Sequence, residues 1–518
     1  MRRRMCLPFL ATLALMPALA PPARAETAQT PRLPNTAPPT VALADAALVD
    51  ALTWGVNTTT MARFRAMGRE PWLRAQLHPP PGDHLPPEAR RQVAAIEASR
   101  KPVFDLIGEY DARGREANQT QDPDQKAAAQ KAFQEGMSEI ARQSAAASIL
   151  RALYSDDQLR ERMTWFWFNH FNVHAGKANL RLLVGDYEAT IRAHALGDFR
   201  GLVMATLRHP AMLRYLDNAD NAGGHVNENY ARELMELHTM GVGSGYTQKD
   251  VEELARILTG AGIDARPEPP KLKPEWQRLL VRDGLFTFNP ARHDLGDKTF
   301  LGARIPGSGW SEVEQAVDML CAHPATARHV SRQLATYFVS DNPPQALVER
   351  MAETFSRSHG DIPAVLETMI RSPEFAATHG ARFKDPARYV LSAIRLAYDD
   401  KVVLNTAPAQ NWLNRLAEGL YNHQTPDGYP MHADAWNASG QMMTRFEIAR
   451  QIGSGSSGLF RPPAPDQTDR PAFPLLQNRL WFESLQPTLS PRTRNALEQA
   501  ISPQDWNTLF LSSPEFME

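Results

Sequence analysis

The chain has 518 residues, an ordinary apolar fraction and a formal net charge of −2. This length is sufficient for one large domain or two ordinary domains, each with its own core. The near-neutral charge argues against a nucleic-acid partner. After the first 25 residues no segment approaches the run of about 20 apolar residues that a spanning helix needs, so we expect no membrane span.

The first 25 residues have the pattern of a secretory signal peptide. Three arginines at 2–4 precede an apolar stretch, and Ala-Arg-Ala at 23–25 is a small-x-small cleavage site. We therefore expect cleavage near Ala25 and a periplasmic or secreted protein. Removing this segment takes away four Arg and no acid, which leaves 52 basic and 58 acidic residues. Only Cys321 remains, so the fold must be stable without an intramolecular disulfide.

Helical periodicity dominates the rest of the chain. Residues 26–42, rich in Pro, Thr and Ala, are predicted to be a disordered linker. The helical family domain is predicted over 43–452, a flexible segment over 453–470, and short C-terminal helices over 471–518. The helices are expected at about 43–52, 59–77, 86–113, 122–153, 156–174, in parts of 182–216, at 227–241 and 247–259, and at 310–322, 324–339, 344–357, 361–371, 384–399, 408–420 and 440–451.

An insertion over 263–309 interrupts this pattern. Its prolines break the helical period, and alternating apolar residues predict a small β-hairpin near 279–301. Within it, His293, Asp294 and Lys298 are expected to stabilise a turn. The predicted fold class is therefore all-α, a large irregular multi-helix array with one small β-hairpin insertion.

Four helices are predicted to begin at a proline that follows a polar capping residue. Proline suits the first turn of a helix, and the residue before it avoids the helical conformation. The capping residues of these joints are His209, His323, Ser372 and Ser513. A further cap is predicted at the start of the helix 247–259, with Thr247 as N-cap and Asp250 three residues later.

Several motifs together resemble the bacterial domain-of-unknown-function 1800 family. These motifs are NENYARELMELHTMGVGSGYTQKDVEELARILTG, HDLGDKTFLG, HPATARHVSRQLATYFVSDNPP and PDGYP followed by Trp436, and the resemblance runs from about residue 45 to 450. It implies an exported, predominantly helical protein, often encoded beside a second exported protein of another uncharacterised family. It assigns no reaction and no catalytic residue. Tyr429 stands where the family usually has Trp.

The segment from Asn227 to Gly241 carries the densest polar cluster in the sequence. On a helical wheel Glu228, Asn229, Arg232, Glu233 and Glu236 share one face, opposite an apolar face. This face is either a functional site or a solvated surface held by i,i+4 ion pairs.

The first functional hypothesis is an exported hydrolase or lyase that acts on a polysaccharide or another envelope polymer. The helical rise separates Glu228 from Glu233 by about 7.5 Å, which suits two carboxyl groups around a glycosidic bond and a water. Glu233 or Glu236, beside Arg232, should stay ionised, whereas whichever Glu lies in an apolar pocket should hold its proton and act as the acid. The predicted catalytic residues are Glu228, Arg232, Glu233 and Glu236, and the predicted substrate-binding residues are Trp165, Trp167, Asn227, Asn229, Tyr429 and Trp436.

The rival hypothesis is a non-catalytic exported scaffold that binds a partner protein. In that case the cluster at 227–236 is a buried network that fixes how the helices meet. Serine-esterase, nucleotide-binding and nicotinamide-binding motifs are missing from the sequence, so it offers no support for those chemistries.

A third hypothesis is a divalent-metal enzyme. His170 and His174 are four residues apart on a predicted helix, a spacing at which two imidazoles can share a metal, and His225 is the predicted third ligand. The residues between them lack the Glu of a zinc protease, and the neighbouring aromatic residues equally suggest a buried core helix.

Overall fold

A computed structural model of the protein describes residues 41–378, 382–462 and 473–518. The predicted signal peptide, residues 1–25, and the predicted linker up to residue 40 lie outside these ranges. The last two linker residues, Val41 and Ala42, begin the first helix. Within the described ranges, no helix is both long and apolar enough to cross a membrane.

The N-terminal third consists of helices only. They are α1 (Val41–Leu52), α2 (Thr58–Met67), α3 (Arg69–Leu77), α4 (Pro87–Ala95), α5 (Glu97–Arg100), α6 (Val103–Gln119) and α7 (Pro123–Tyr154). The predicted helix 59–77 divides at Gly68, whose positive φ a residue with a side chain rarely adopts. The predicted helix 86–113 divides at Ile96 and Lys101, which are extended. Lys101 precedes a proline, and a residue in that position avoids the helical conformation.

Six helices follow, and they position the polar cluster. They are α8 (Gln158–His170), α9 (Val184–His194), α10 (Phe199–Arg208), α11 (Pro210–Tyr215), α12 (Asn229–Glu233) and α13 (Gln248–Ile257). The prediction of one α-helix over 227–241 is wrong, because α12 continues into a π-helical turn, Leu234–His238. The predicted cap of α13 is confirmed, since the side chains of Thr247 and Asp250 each bond the other's backbone N–H.

The insertion contains two small antiparallel sheets rather than one hairpin. Its elements are β1 (Ala261–Ile263), α14 (Pro274–Gln277), β2 (Val281–Asp283), β3 (Phe286–Phe288), β4 (Lys298–Phe300) and β5 (Ala303–Ile305). The predicted hairpin corresponds to β2 and β3, and β1 adds a third strand on the other side of β3. The KTF segment pairs with β5 in a separate hairpin. Helices dominate everywhere else, which confirms the all-α class.

The remaining helices complete the array. They are α15 (Trp310–Ala322), α16 (Pro324–Phe338), α17 (Gln345–Arg357), α18 (Ile362–Ile370), α19 (Pro373–Ala377), α20 (Pro386–Tyr398), α21 (Ala407–Arg415), α22 (Ser439–Gly453), α23 (Pro491–Glu498), α24 (Pro503–Leu511) and α25 (Pro514–Met517), with a π-helical turn at Trp481–Leu485. All four predicted proline joints are confirmed. The side chains of His209, His323, Ser372 and Ser513 each accept a hydrogen bond from a backbone N–H of the following helix.

The C-terminal helices pack directly on the family domain. α24 lies against α22, and both contribute to the main hydrophobic core. In the segment 453–470, for which the sequence predicts flexibility, Leu459 and Phe460 are buried, and the backbone N–H of Leu404 donates to the Leu459 carbonyl at 2.8 Å. Residues 463–470 lie outside the described ranges.

A buried charged network joins the insertion to α15. The Lys298 ammonium on β4 lies 2.5 Å from Glu312 Oε2, His293 Nε2 lies 3.0 Å from Glu312 Oε1, and all three side chains are fully buried. Burial alone would raise the pKa of Glu312, but the hydrogen bonds from His293 and Lys298 outweigh it and hold the pKa below its ordinary value. The sequence predicts that His293 and Lys298 stabilise a turn. In the structure they also link the insertion to α15 through Glu312.

Replacing Glu312 by Gln should destabilise the protein strongly. The Lys298 ammonium would stay buried without its counter-charge, a situation that costs about 3–5 kcal/mol of unfolding free energy. Urea unfolding followed by circular dichroism measures the loss. Asp297→Asn is the control, since it removes an exposed ion pair with Arg304 and should leave the midpoint unchanged. An equal midpoint for Glu312→Gln and the wild type would contradict the role of the network.

Candidate functional site

The loop that leads into α12 is held in place by two buried asparagines. Asn218 Nδ2 donates to the Leu258 and Ala261 carbonyls at 3.2 and 2.9 Å. Asn221 Oδ1 accepts the backbone N–H of Asn227 at 2.9 Å. Because these bonds use the side chains' polar atoms, the Asn-rich composition of the loop serves to fix its shape.

The predicted substrate-binding residues Asn227 and Asn229 also have structural partners. Asn227 Oδ1 accepts the backbone N–H of Asn229 at 2.9 Å, which stabilises the start of α12. Asn229 Nδ2 donates to Asp217 at 3.3 Å, and the Lys177 ammonium lies 2.9 Å from the same carboxylate. The surface beside α12 therefore also includes the basic side chain of Lys177 and the acidic side chain of Asp217.

Arg232 forms the predicted i,i+4 pairs along the cluster. Its guanidinium lies 2.9 Å from Glu228 and 3.6 Å from Glu236. Glu228 also accepts from Gln248 Nε2 at 2.8 Å. About a third of each of the Arg232 and Glu228 side chains is exposed, and surface pairs of this kind contribute about 0–1 kcal/mol each. Glu228 therefore has both a cationic and an amide partner at this surface.

Glu233 differs from the other carboxyl groups of α12. It forms no ion pair with any described residue, and its carboxyl group is partly buried. Burial, followed by the nearby carboxylates of Glu236 and Asp427, raises its pKa above the ordinary value, and Arg232 only partly opposes this. The environment of Glu233 therefore favours the protonated carboxyl group, contrary to the expectation that Glu233 stays ionised beside Arg232.

The loop at 423–429 brings Asp427 to this surface. Its backbone is fixed by Asn172, whose Nδ2 donates to the His423 and Thr425 carbonyls at 3.1 and 2.7 Å. His423 Nε2 lies 3.3 Å from Asp427 Oδ1 and 3.0 Å from Thr425 Oγ1. The sequence analysis missed both His423 and Asp427. The signal was the polar HQTPD run at 423–427, which is separated from Tyr429 by Gly428.

Tyr215 gives independent evidence that the two segments meet. Its hydroxyl donates to the Gln424 carbonyl at 2.8 Å. Burial, and then the carboxylates of Asp427 and Glu233, raise the pKa of Tyr215 to about 12. The carboxyl groups of α12 and of the 423–429 loop therefore belong to one continuous polar surface.

Only two of the predicted aromatic platforms are available to a ligand. Trp167 and Trp436 are buried core residues, and their indole N–H groups donate to the carbonyls of Ala195 and Pro430. Their rings cannot stack on a sugar without unpacking the core. Trp165 and Tyr429 are half-buried and line a common cleft.

The structure does not assemble the predicted metal site. α8 ends at His170, so His174 lies beyond the helix and the i,i+4 spacing does not apply. His174 interacts with His423, and His225 is exposed in a loop where its backbone bridges Ala222. In the described part of the chain, no group of three or more His, Cys, Asp or Glu side chains is placed to hold a metal ion.

His170 instead belongs to a buried histidine cluster at the π-helical turn. Its Nε2–H donates to the His238 carbonyl at 3.0 Å, and His329 Nε2–H, from α16, donates to the Leu237 carbonyl at 3.1 Å. The His238 ring is fully buried, and neither of its nitrogens has a hydrogen-bond partner. Burial lowers the pKa of all three histidines, to about 3 for His170. No pattern in the sequence foresees this cluster.

The histidine cluster should make the protein sensitive to acid. The unfolded chain binds protons at the ordinary histidine pKa of about 6.5, whereas folded His170 stays neutral down to about pH 3. Stability is therefore complete above pH 6.5 and falls as the pH decreases toward 3. His170→Gln keeps a donor for the His238 carbonyl and carries no titrating ring. It should reduce the stability lost between pH 7.5 and 5.0 by up to about 2 kcal/mol.

Urea titrations at the two pH values test this expectation. His225→Gln, on an exposed loop, is the matched control and should show the same loss as the wild type. If His170→Gln loses as much stability on acidification as the wild type does, the cluster is not the source of acid sensitivity.

One kind of comparison with known proteins, a match to a family model, supports the family resemblance. Comparison with curated proteins and with solved structures gave no match. A family model described as protein of unknown function (DUF1800) matches residues 47–518. The match continues past residue 452, where the sequence analysis ended the family domain, and it includes the C-terminal helices that pack on α22. The chain therefore belongs to the DUF1800 family of proteins of unknown function.

Proposed function

We propose that the protein is an exported hydrolase or lyase that acts on a polysaccharide or another envelope polymer. The observation that carries the proposal is Glu233, a partly buried carboxyl group with no cationic partner of its own and a raised pKa, beside further carboxylates. An enzyme that cleaves a glycosidic bond needs one carboxyl group that holds a proton and a second that acts as base or nucleophile. Glu233 is assigned as the acid, and Asp427 supplies the second carboxyl group.

The surroundings support a polymeric substrate. The polar surface is built from two separate segments, α12 and the 423–429 loop, and its carboxyl groups are partly or fully exposed. An open surface of this kind can accept the middle of a long chain, whereas a closed pocket accepts only an end or a small molecule. The basic, apolar and small-residue pattern of the first 25 residues supports export to the compartment where envelope polymers occur.

The assignment also changes the expected roles within the cluster. Glu228 and Glu236 are both paired with Arg232, so the Glu228–Glu233 pair expected from helical spacing is replaced by a pair between α12 and a distant loop. Arg232 then keeps two carboxylates in place beside Glu233. The negative charge of Glu236 helps to keep the proton on Glu233.

Glu233→Gln should lose catalytic activity without losing stability. Removing a general acid typically costs about 10²–10⁴-fold in rate. The assay measures release of reducing ends, and of unsaturated products at 235 nm, from a panel that includes peptidoglycan, alginate, chitosan and β-glucan. The matched control is Glu228→Gln, on the same segment but paired with Arg232 and Gln248, which should retain activity within about threefold.

The wild-type rate should fall as the pH rises and Glu233 ionises.

Two results would refute the proposal. One is a Glu233→Gln variant as active as the wild type on a polymer that the wild type degrades. The other is a melting temperature that falls by the same large amount in Glu233→Gln and Glu228→Gln, since that would make the cluster a structural network.

A partner-binding role is the second proposal, and it rests on α22. Met443 and Phe446 lie about one turn apart on this helix and are 60% and 41% exposed. Large apolar side chains exposed together are typical of protein interaction sites. The expected partner is the exported protein that the family resemblance suggests is encoded nearby.

Charged substitutions on α22 test this proposal. The double variant Met443→Glu and Phe446→Glu should lose co-elution with the neighbour-encoded protein in size-exclusion chromatography. Ile501→Glu, at a 94% exposed position in the loop between α23 and α24, is the control and should co-elute like the wild type. Co-elution of the double variant at wild-type level would exclude α22 as the interface.

A further inference from the structure

A polar cavity lies where the end of α20 meets α2, α3 and the junction of α7 with α8. The centres of water molecules can occupy about 280 Å³ of it, whereas a single water needs only about 10–15 Å³ on that measure. The cavity therefore has room for a small organic molecule. Its walls combine the apolar side chains of Trp72, Leu85 and Leu153 with the charged side chains of Arg395 and Asp399.

Arg395 is a buried cation that no carboxylate contacts directly. It is 3% exposed, and burial lowers its pKa to about 10, which leaves it charged at neutral pH. Its guanidinium donates to four neutral acceptors, the carbonyls of Gly55 and Leu153, Thr60 Oγ1 and Asn57 Oδ1. These bonds use four of the five guanidinium N–H groups and leave one on Nη1. The N–H groups are thus largely satisfied, but the buried charge itself lacks a direct counter-charge.

Asp399 is the anionic side chain that most stabilises the charge of Arg395, yet the two form no ion pair. They are four residues apart, a spacing at which helical side chains meet. However, α20 ends at Tyr398, and Asp399 adopts φ 50° and ψ −116°, a conformation rare for a residue with a side chain. Its carboxylate instead accepts the backbone N–H of Thr59 at 2.9 Å and the Thr59 hydroxyl at 3.1 Å. The fold therefore keeps two opposite charges apart on the walls of one cavity.

The Asp399 carboxylate can accept further hydrogen bonds from a cationic ligand. Thr59 occupies one position on each of its oxygens, and a carboxylate has about four such positions. Capping of α2 does not require Asp399, because Asn57 Oδ1 already accepts the Thr60 N–H at 2.9 Å. Burial raises the pKa of Asp399, and the bonds from Thr59 and the charge of Arg395 only partly oppose this. A cation in the cavity would offset that cost of burial.

The other charged side chains that line the cavity are already paired or lie at its exposed rim. Two have a carboxylate or basic partner in direct contact, Arg63 with Asp156 and His84 with Asp157. Two more, Arg90 and Asp400, are exposed and opposite in sign, so solvent screens them. Arg395 and Asp399 are therefore the two inner charges that a ligand can compensate.

We propose that this cavity binds a free α-amino acid with an apolar side chain, its carboxylate bonded to Arg395 and its ammonium group bonded to Asp399. An amino acid carries both charges on neighbouring atoms, so it can bridge two wall charges that do not contact each other. A simple anion would be repelled by Asp399, and a simple cation would be repelled by Arg395. The apolar part of the wall accommodates the side chain of the amino acid. The proposal is independent of catalysis at Glu233.

Calorimetry with the full-length protein tests binding of two probes, L-leucine and L-phenylalanine. At least one of them should bind saturably at neutral pH. Two analogues of leucine each lack one charge, since 4-methylpentanoate has no ammonium group and 3-methylbutylamine has no carboxylate. Each analogue should bind at least about tenfold more weakly than leucine, because it loses the hydrogen bonds of one charged group.

The variant Asp399→Asn separates recognition from a structural role. Asn still accepts the Thr59 N–H and tolerates a positive φ, so we expect the melting temperature of the wild type. Its affinity for leucine should fall at least about tenfold, whereas its affinity for 4-methylpentanoate should rise, because the repelling charge is gone. The control is Asp297→Asn, which removes an exposed ion pair in the insertion and should bind leucine like the wild type.

Three results would overturn the proposal. The first is that neither amino acid binds. The second is that either analogue binds as tightly as leucine does, a result that decides the matter even if Asp399→Asn does not fold. The third is that Asp399→Asn, while folded, binds leucine with the affinity of the wild type.

Discussion

The polar surface depends on how the backbone carbonyls after Glu233 are satisfied. The carbonyls of Leu237 and His238 lie in the last turn of this segment, a π-helical turn at 234–238, and the final carbonyls of a helix have no partners within it. Imidazole N–H groups from α8 and α16 take that role. Two helices distant in sequence therefore stabilise the turn that ends α12. The positions of Glu233 and Glu236 follow from that turn.

The same type of side chain behaves differently in three environments of this fold. Glu312 is buried against Lys298 and His293, and its pKa is lowered because its charge is compensated. Glu233 and Glu188 are partly buried without a directly paired cation, and their pKa values are raised. Lys298 compensates the charge of Glu312, and that pair stabilises the fold. Glu233 and Glu188 have no such partner, so they are the better candidates for chemistry or recognition.

The features predicted correctly from the sequence are helix caps and ion pairs between residues close together in the chain. The proline joints at His209 and Ser513 and the capping box of α13 were correct, because each depends on residues within one helical turn. The wheel at 227–241 correctly paired Arg232 with Glu228 and Glu236 for the same reason. The resemblance drawn from the motifs was correct as well, and the matched region proved longer than predicted.

The errors arose where distant contacts decide the outcome. The π-helical turn needs His170 and His329 from two other helices, and no pattern within 227–241 shows them. Trp167 and Trp436 look like surface platforms in sequence, but the packing of helices around them makes them core residues. The proposed pair of Glu233 and Asp427 joins positions almost 200 residues apart, so it follows only from the folded chain.

The 423–429 loop shows how these long-range contacts combine. Asn172 and Tyr215 bond its backbone carbonyls, and Asn169 bonds Tyr429 on both its N–H and its carbonyl. All these anchors come from the region of α8 and α11 and not from the loop's own neighbours in sequence. Because they fix the backbone, the side chains of His423 and Asp427 are free to face the polar surface, and Tyr429 faces the cleft. A loop fixed in this way can present side chains to two surfaces at once, and this is how a distant segment comes to supply one member of the proposed carboxyl pair.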